Sequence, residues 1–247
     1  MKIKKLLIFI LSISIIFCIL SLNSFAMNTG FTVCDIEPED EQNLISNLDV
    51  TLITEEPEKE YITCFDVNDD GLILLVDGIT EIKTVSVYTS DGTFKYRYEL
   101  SSSGNCYAEW DGDNVIIYYV RSDIAALFDN TGKLLEVKRI ENTAENNSYW
   151  YELRAEERTV NGNKYVMKND MGVLNFFSTT YSQFVVTDAD GNTKIILDLS
   201  KQMLAGTIIV VTLVMAVFIC AIVIIIHFVK KSSQKRKANE DRESSVE

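Results

Sequence analysis

The chain has 247 residues, of which 47% are hydrophobic, and its 36 acidic and 23 basic side chains give a net charge of −13 at pH 7. Its single histidine, His227, lies in a C-terminal apolar segment. The rest of the chain therefore has no imidazole for a Ser-His-Asp or Cys-His nucleophilic site, or for a zinc or iron ligand. The negative charge excludes nucleic acid as an expected partner, because nucleic acid is itself polyanionic.

Residues 1–26 have the three parts of a secretory signal peptide. Lys2, Lys4 and Lys5 precede the apolar core Leu6–Leu20, and small residues lie in the segment Ser24-Phe25-Ala26. The apolar core is short for a membrane span, and an uncleaved N-terminal anchor would give the same topology. We predict that residues 1–26 are removed.

A second apolar segment, Met203–Val229, carries no formal charge. As a helix it would be about 40 Å long, enough to cross a hydrocarbon core of about 30 Å. A basic cluster follows directly, formed by Lys230, Lys231, Lys235, Arg236 and Lys237. Because basic residues mark the cytoplasmic side, we predict a single-pass protein of the cell membrane. Residues 203–229 form its transmembrane helix, residues 230–247 its cytoplasmic tail, and the preceding domain lies outside.

Small residues recur every fourth position in this helix, at Thr212, Ala216 and Cys220. Such spacing is typical of helices that pack closely in membranes. It raises self-association as one hypothesis, and a separate protein partner is the other.

The region between the two apolar segments, residues 27–202, has 32 acidic and 14 basic side chains, and hence a net charge of −18. We interpret residues 27–60 as an acidic linker or N-terminal segment with a short helix around Glu41–Leu48. Cys34, Cys64 and Cys106 are an odd number, so they do not form a closed disulfide framework. A Cys64–Cys106 bridge is conceivable, but we favour two unpaired buried thiols.

Residues 61–202 have the composition of a β-rich extracytoplasmic domain, with short β-branched and aromatic runs separated by glycine turns. Each of six turns precedes a predicted strand. The glycines are Gly71, Gly92, Gly112, Gly132, Gly172 and Gly191, and the strands are 72–76, 93–100, 115–120, 133–137, 173–177 and 192–197.

Taken in pairs, these glycines are 21, 20 and 19 residues apart, and an insertion around Arg139–Val160 separates the second pair from the third. Three units of about four strands are predicted. Over Tyr61–Leu199 the sequence resembles β-propeller blades of the NHL and WD-like kind, and also uncharacterised membrane-anchored bacterial proteins. The resemblance implies antiparallel, propeller-like blades, although closed propellers use about four to eight. An ordinary sandwich or meander is the alternative.

One local motif has the composition of a metal loop. The run Asp66-Val67-Asn68-Asp69-Asp70-Gly71 fits the start of a calcium loop, in which Asp66, Asn68, Asp70, the Leu72 carbonyl and Asp77 would be the ligands. The flanking residues lack a helical pattern, and Leu72–Val76 is strand-like. We therefore favour a hairpin turn over Asn68–Gly71, with calcium as the second interpretation.

These patterns predict a membrane-tethered extracytoplasmic β domain that binds another protein or a surface ligand and is not an enzyme. The alternative is a hydrolase that acts on envelope polysaccharide through two carboxylates, because such chemistry needs no histidine. With 32 acids in the domain, the sequence nominates no particular pair.

Overall fold

The computed structural model describes residues 27–58, 61–78, 81–178 and 180–243. The predicted signal peptide, residues 1–26, lies outside the described residues. The described chain forms three antiparallel sheets followed by a long apolar helix, so the prediction of an all-β domain with one C-terminal helix is confirmed. None of the three sheets closes on itself within these ranges. We call residues 27–199 the β domain.

The strands in chain order are β1 Val33–Cys34, β2 Val50–Ile53, β3 Ile62–Val67, β4 Ile73–Asp77, β5 Ile82–Tyr88, β6 Phe94–Ser101, β7 Cys106–Asp111, β8 Asn114–Tyr119, β9 Ile124–Phe128, β10 Leu134–Ile140, β11 Glu157–Val160, β12 Asn163–Lys168, β13 Gln183–Thr187 and β14 Thr193–Asp198. The α-helices are α1 Pro38–Asn47, α2 Ala144–Leu153 and α3 Ser200–Glu243, and short 3₁₀ helices span Val120–Ser122 and Gly172–Phe177.

Each sheet is built on a four-stranded meander. The first sheet has the order β2-β6-β5-β4-β3, the second β1-β10-β9-β8-β7 and the third β11-β12-β13-β14. Five of the six predicted glycine turns precede strands, namely β4, β6, β8, β10 and β14. The glycine pattern therefore located most of the hairpins.

The prediction of a strand at residues 173–177 is wrong, because Gly172–Phe177 is a 3₁₀ helix. The Met171 amide donates to the Asn175 side chain (2.8 Å), and that side chain donates to the Asn169 carbonyl (3.3 Å). These bonds fold the segment on itself and keep it out of the sheet. The third meander instead turns at Asn161-Gly162, both with positive φ, at the end of the segment predicted as an insertion.

Of residues 27–60, predicted as a linker or N-terminal segment, the described part, residues 27–58, belongs to the fold. β1 extends the second sheet by pairing with β10, β2 extends the first by pairing with β6, and α1 lies between them. Both short strands cover what would otherwise be an open sheet edge, where unpaired backbone groups invite aggregation.

The three sheets stack face to face, with the first sheet in the middle. Leu74 and Val76 of β4 face a large core shared with the second sheet. Ile73 and Leu75, which point the other way, face a smaller core shared with Tyr165 of the third sheet. Because both faces of β4 are covered, all of its residues are buried. This explains why the strand is an unbroken apolar run without alternation.

The N-terminal segment and α2 contribute to the large core of the first two sheets. Phe31 lies with its ring centroid 5.0 Å from that of Tyr118, 4.7 Å from that of Tyr149 and 4.5 Å from that of Trp150. The Asn146 side chain of α2 accepts from the Thr32 amide (2.8 Å). The N-terminal segment is therefore held by buried aromatic contacts, together with polar bonds such as that from the Met27 amide to Glu136 (2.6 Å) and the ion pair of Asp35 with Lys138 (2.6 Å).

The β domain has two distinct ends. The five glycine turns that precede strands, and the Asn161-Gly162 turn, lie at one end, which we call the turn end, where contacts join different sheets. There the Asn161 side chain donates to the Asp69 carbonyl (2.6 Å), and Lys194 donates to the Asp91 carbonyl (2.7 Å). The opposite end, where α3 begins, we call the helix end. There Ile62 and Tyr181 join the first and third sheets through paired backbone bonds.

The described residues include one helix, α3, with a segment long and apolar enough to cross a membrane. The candidate span is Ser200–Ser232, within which an 18-residue window has a mean hydropathy of 3.4, and it contains the predicted span 203–229. Ser182, the residue before β13, bonds to the start of this helix, because the Leu199 amide donates to the Ser182 carbonyl (2.7 Å) and the hydroxyls of Ser182 and Ser200 are 3.1 Å apart.

The cysteines of the β domain are free thiols. Cys64 and Cys106 are both buried and unbridged, which confirms the favoured interpretation. Cys64 donates to the Leu153 carbonyl (3.2 Å), and burial raises the pKa of its thiol to about 12. It is therefore protonated at neutral pH and unsuited to act as a nucleophile.

If the N-terminal segment is part of the core, Phe31→Ala should lower the free energy of unfolding by about 3–5 kcal/mol, the usual cost of removing a buried aromatic ring. Thermal and urea unfolding of the detergent-solubilised protein, followed by circular dichroism, would measure the change. Tyr151→Ala is the matched control, because that ring is 73% exposed. Equal effects of the two substitutions would contradict this account of the N-terminal segment.

Candidate functional site

A cavity of about 530 Å³ opens at the helix end of the β domain, where the three sheets meet α2. We call it the tyrosine pocket. Its lining comes from five separate parts of the chain, namely Thr63, Gly78, Asn105-Cys106-Tyr107, Tyr151 with Arg154, and Thr180-Tyr181. None of these residues was nominated from the sequence.

The first strands of two meanders form the floor of the pocket. β3 and β7 pack side by side, and both begin at the helix end. This packing places Thr63 of β3 next to Cys106 and Tyr107 of β7. The Thr63 hydroxyl donates to the Val76 carbonyl (3.0 Å), so its orientation is fixed by the neighbouring strand.

The last turn of α2 supplies one wall. The helix begins where the Thr143 hydroxyl accepts from the Asn146 amide (3.1 Å), a standard N-cap arrangement. At its other end, the guanidinium carbon of Arg154 lies 4.9 Å from the centroid of the Tyr151 ring, within range of a cation–π interaction. The Arg154 Nε donates to the Trp150 carbonyl (3.1 Å), which holds the guanidinium at the rim.

Tyr181 forms the opposite wall. Its hydroxyl donates to a carboxylate oxygen of Glu156 (2.8 Å), and burial raises the pKa of this phenol to about 12. Burial likewise raises the pKa of Tyr107. Both phenols are therefore neutral at physiological pH and can donate or accept hydrogen bonds.

The charge of the pocket differs from that of the domain. Its lining residues within the described ranges include one cation, Arg154, and no carboxylate, although residues 27–202 have a net charge of −18. The pocket thus combines phenol rings, small polar groups and one guanidinium. Such a surface suits a neutral or anionic ligand with an apolar part, because Arg binds carboxylate and phosphate groups and stacks on aromatic faces.

A buried acidic centre lies between β3 and β7, closer to the turn end. Glu109 accepts hydrogen bonds from Tyr118 and from Tyr149, the latter at 2.5 Å. Asp66 accepts from the Trp110 amide (2.8 Å) and lies 3.6 Å from the Nε of Arg158. Burial raises the pKa of both carboxyls, and the hydrogen bonds they accept oppose that rise.

The sequence alone could not single out Asp66 and Glu109 among the 32 acidic residues of the domain. Glu109 is 8% exposed, and neither carboxyl lines the tyrosine pocket. Their oxygens accept hydrogen bonds from tyrosine side chains and a backbone amide, and Asp66 also forms an ion pair with Arg158. This arrangement satisfies buried charge within the sheet interface, as the cost of desolvation requires.

The predicted calcium residues are only partly brought together. Asp66, Asn68 and Asp70 line a depression of about 300 Å³ at the turn end, together with Asp69, Asp113 and other residues. Asp77 lies at the far end of β4, where it accepts from the Thr84 hydroxyl. Within the ranges described, no group of three or more His, Cys, Asp or Glu residues is arranged to hold a metal ion.

The hairpin turn predicted over Asn68–Gly71 is confirmed. The Gly71 amide donates to the Asn68 carbonyl (2.9 Å), and Gly71 has a φ of 77°, a conformation that favours glycine. The Asn68 side chain accepts from the Leu72 amide (2.8 Å), and the Leu72 carbonyl accepts from the Asn68 amide (3.1 Å). Two of the five proposed ligands thus take part in the turn itself.

Comparison with known proteins identifies no relative. No protein-family model matches the chain, and no curated protein matches it significantly.

The raised pKa of Glu109 generates a test of the acidic centre. The ordinary pKa of this carboxyl is 4.5, and its pKa in the folded protein is higher. Its protonation therefore stabilises the fold fully below pH 4.5, and this stabilisation is lost as the pH rises through the pKa of the folded protein. Glu109→Gln should therefore gain stability relative to the wild type as the pH rises from about 4 to about 8. Thermal unfolding across this range would measure it, with the exposed Glu81→Gln as control. A stability difference that does not change with pH would contradict the assignment.

The turn interpretation of Asp66–Asp77 predicts that calcium neither binds nor stabilises the protein. Calorimetric titration of the solubilised protein with calcium chloride should give no binding heat, and its unfolding temperature should not move. Asp70→Asn is the matched variant, because it removes one proposed ligand charge at an exposed position. Heat that appears in the wild type and is lost in Asp70→Asn would establish the calcium interpretation instead.

Proposed function

We propose that the protein is a membrane-tethered, non-enzymatic binding or accessory protein that holds a segment of another protein in the tyrosine pocket. The observation that carries this proposal is the composition and position of that pocket. It is formed by Tyr107, Tyr151, Tyr181 and Arg154, and it opens at the same end of the β domain as the membrane-type helix. A partner bound there is held close to the membrane.

The residue types in the pocket are those that dominate protein interfaces. Tyrosine and arginine are enriched where binding energy is concentrated, because each combines a large contact area with a directed polar group. Tyr151 is 73% exposed, whereas Tyr107 is 8% exposed. The pocket therefore offers both a buried floor and an accessible ring at its rim.

The charge of the pocket favours a particular kind of segment. Arg154 is the lining cation, and the surrounding domain is acidic. A segment with a carboxylate, either an acidic side chain or a chain terminus, would pair with Arg154 while apolar atoms contact the tyrosine rings. A strongly acidic partner would be repelled by the rest of the domain.

The location of the domain follows from the sequence. We place it outside the cytoplasm, because residues 1–26 have the pattern of a signal peptide and a basic cluster follows Val229. The protein would then be a single-pass protein of the cell membrane with its pocket on the outer side. The four-residue stripe of Thr212, Ala216 and Cys220 in α3 would support self-association within the membrane.

We also propose that the three meanders are propeller-like blades in an open array. β3, at one edge of the first sheet, contacts both β7 and β11, which are the first strands of the other two meanders. First strands that pack around a common axis are typical of propellers. The array ends at the third sheet, whose strand β14 has largely exposed residues.

The hydrolase alternative depends on Asp66 and Glu109. Hydrolysis by two carboxyls needs one with a raised pKa as the general acid and a second as the base or nucleophile, and Asp66 and Glu109 are two carboxyls on packed strands. Both carboxyls, however, accept bonds from groups of the domain, and the tyrosine pocket contains neither. Hydrolysis of an envelope glycan that is lost in Glu109→Gln would favour this alternative.

A photo-crosslinking residue at position 151 tests the binding function. Benzoylphenylalanine in place of Tyr151, at the pocket rim, should give a specific larger adduct in intact cells. The same residue in place of Asp113, which is exposed at the turn end, should not. Adding Arg154→Ala should reduce the yield from position 151, because the anchoring cation is lost. Equal adduct yields at both positions, or a yield at position 151 that Arg154→Ala does not change, would contradict the proposal.

A further inference from the structure

The 3₁₀ helix Gly172–Phe177 exposes two apolar side chains beside the start of α3. Val173 is 91% exposed and Phe176 is 89% exposed, the two largest values among the exposed large hydrophobic residues of the described chain. A 3₁₀ helix has three residues per turn, so residues i and i+3 lie on the same face. Val173 and Phe176 therefore point in one direction.

The two ends of the loop that carries this pair are joined by hydrogen bonds. The Asn169 side chain accepts from the Ser182 amide (2.9 Å) and donates to the Thr180 carbonyl (2.9 Å), while the Asp170 amide donates to the Ser182 hydroxyl (3.1 Å). Ser182 in turn contacts Ser200 at the start of α3. The loop and the membrane helix thus share one anchoring residue.

The loop also contacts α3 itself, at the level where the helix becomes apolar. The Gly172–Phe177 helix packs against α3, and the half-buried positions near the start of α3 are Met203, Leu204, Thr207 and Val211. These positions follow Lys201, the last charged residue before the span. Met203 to Val211 corresponds to about 12 Å along a helix. At the start of a membrane span, a helical segment of this length lies in the headgroup region and at the beginning of the acyl chains.

We propose that Val173 and Phe176 insert into the lipid interface next to α3 and seat the helix end of the β domain on the bilayer. The occupant of this surface is the lipid itself, because the surface is continuous with a helix that already spans the membrane. The charged residues around the loop are of both signs: Lys168, Asp170, Asp198 and Lys201 flank the loop and the start of α3 in the sequence, and Glu156 lines a depression together with Asn175 and Ser178. Insertion therefore rests on apolar contact, and it requires no particular lipid headgroup charge.

This contact is separate from ligand binding in the tyrosine pocket, and it holds for either orientation of the domain across the membrane. It gives the domain a second attachment besides α3. A domain attached at two points cannot swing freely about residue 200, so the turn end points away from the bilayer.

Tryptophan fluorescence of the full-length protein in phosphatidylcholine nanodiscs tests the proposal. Phe176→Trp and, as a second position, Val173→Trp each add an emission that is obtained by subtracting the spectrum of the parent protein. The control is Asp190→Trp, which lies in the same sheet at the turn end. Lipids brominated high on the acyl chain quench tryptophan by contact.

We expect the emission of Trp at position 176 or 173 to be blue-shifted and largely lost with brominated lipid, while the emission at position 190 stays unchanged. The same loss is expected when phosphatidylglycerol is mixed in. If brominated lipid quenches the emission at positions 176 and 173 as little as that at position 190, the proposal is overturned. The same result would follow if these residues contacted a second copy or another protein instead of lipid. Quenching that requires anionic lipid would overturn the apolar mechanism.

Discussion

The last strand of the β domain and the membrane-type helix are one continuous stretch of chain, and the bonds of Ser182 with Leu199 and Ser200 fix their junction. The proposed positions of the tyrosine pocket and of the Gly172–Phe177 loop relative to the membrane depend on that junction. Antiparallel meanders alternate direction strand by strand, so the point at which β14 leaves the sheet decides which end of all three sheets faces the bilayer. The tyrosine pocket lies at that end, and the aspartate-rich glycine turns lie at the other.

The stacking of three sheets explains why the pocket exists. The first sheet is covered on both faces by the two cores. The tyrosine pocket opens at the helix end, where β3 and β7 begin and where the last turn of α2 faces Thr180 and Tyr181. Glu109 and Asp66 can be buried between the layers because they have partners there in place of water. Tyr118 and Tyr149 donate hydrogen bonds to Glu109, the Trp110 amide donates to Asp66, and Arg158 forms an ion pair with Asp66.

Local patterns predicted the hairpins well, because a glycine with positive φ next to a β-branched run is a short-range signal. They failed at Met171-Gly172, where contacts of Asn175 and Asn169 override the β propensity of the following residues, and they missed the turn at Asn161-Gly162, directly after the segment predicted as an insertion. β1 and β2 were also missed, since each is specified by a partner strand far away in the chain. The site was not predictable in this way. Its residues come from five regions with no shared motif, and exposure distinguishes Tyr151 from the buried tyrosines only in the folded domain.

Both proposals depend on the orientation of the β domain, in which the tyrosine pocket faces the membrane and the glycine turns of the turn end face away. Energy transfer from a fluorescent amino acid to headgroup-labelled lipids measures this directly in reconstituted full-length protein. The donor replaces either Ser103, at the helix end, or Asp190, at the turn end, both of which are exposed. We expect strong energy transfer to the lipids from a donor at position 103 and weak transfer from a donor at position 190. Equal transfer from the two positions, or stronger transfer from position 190, would contradict it.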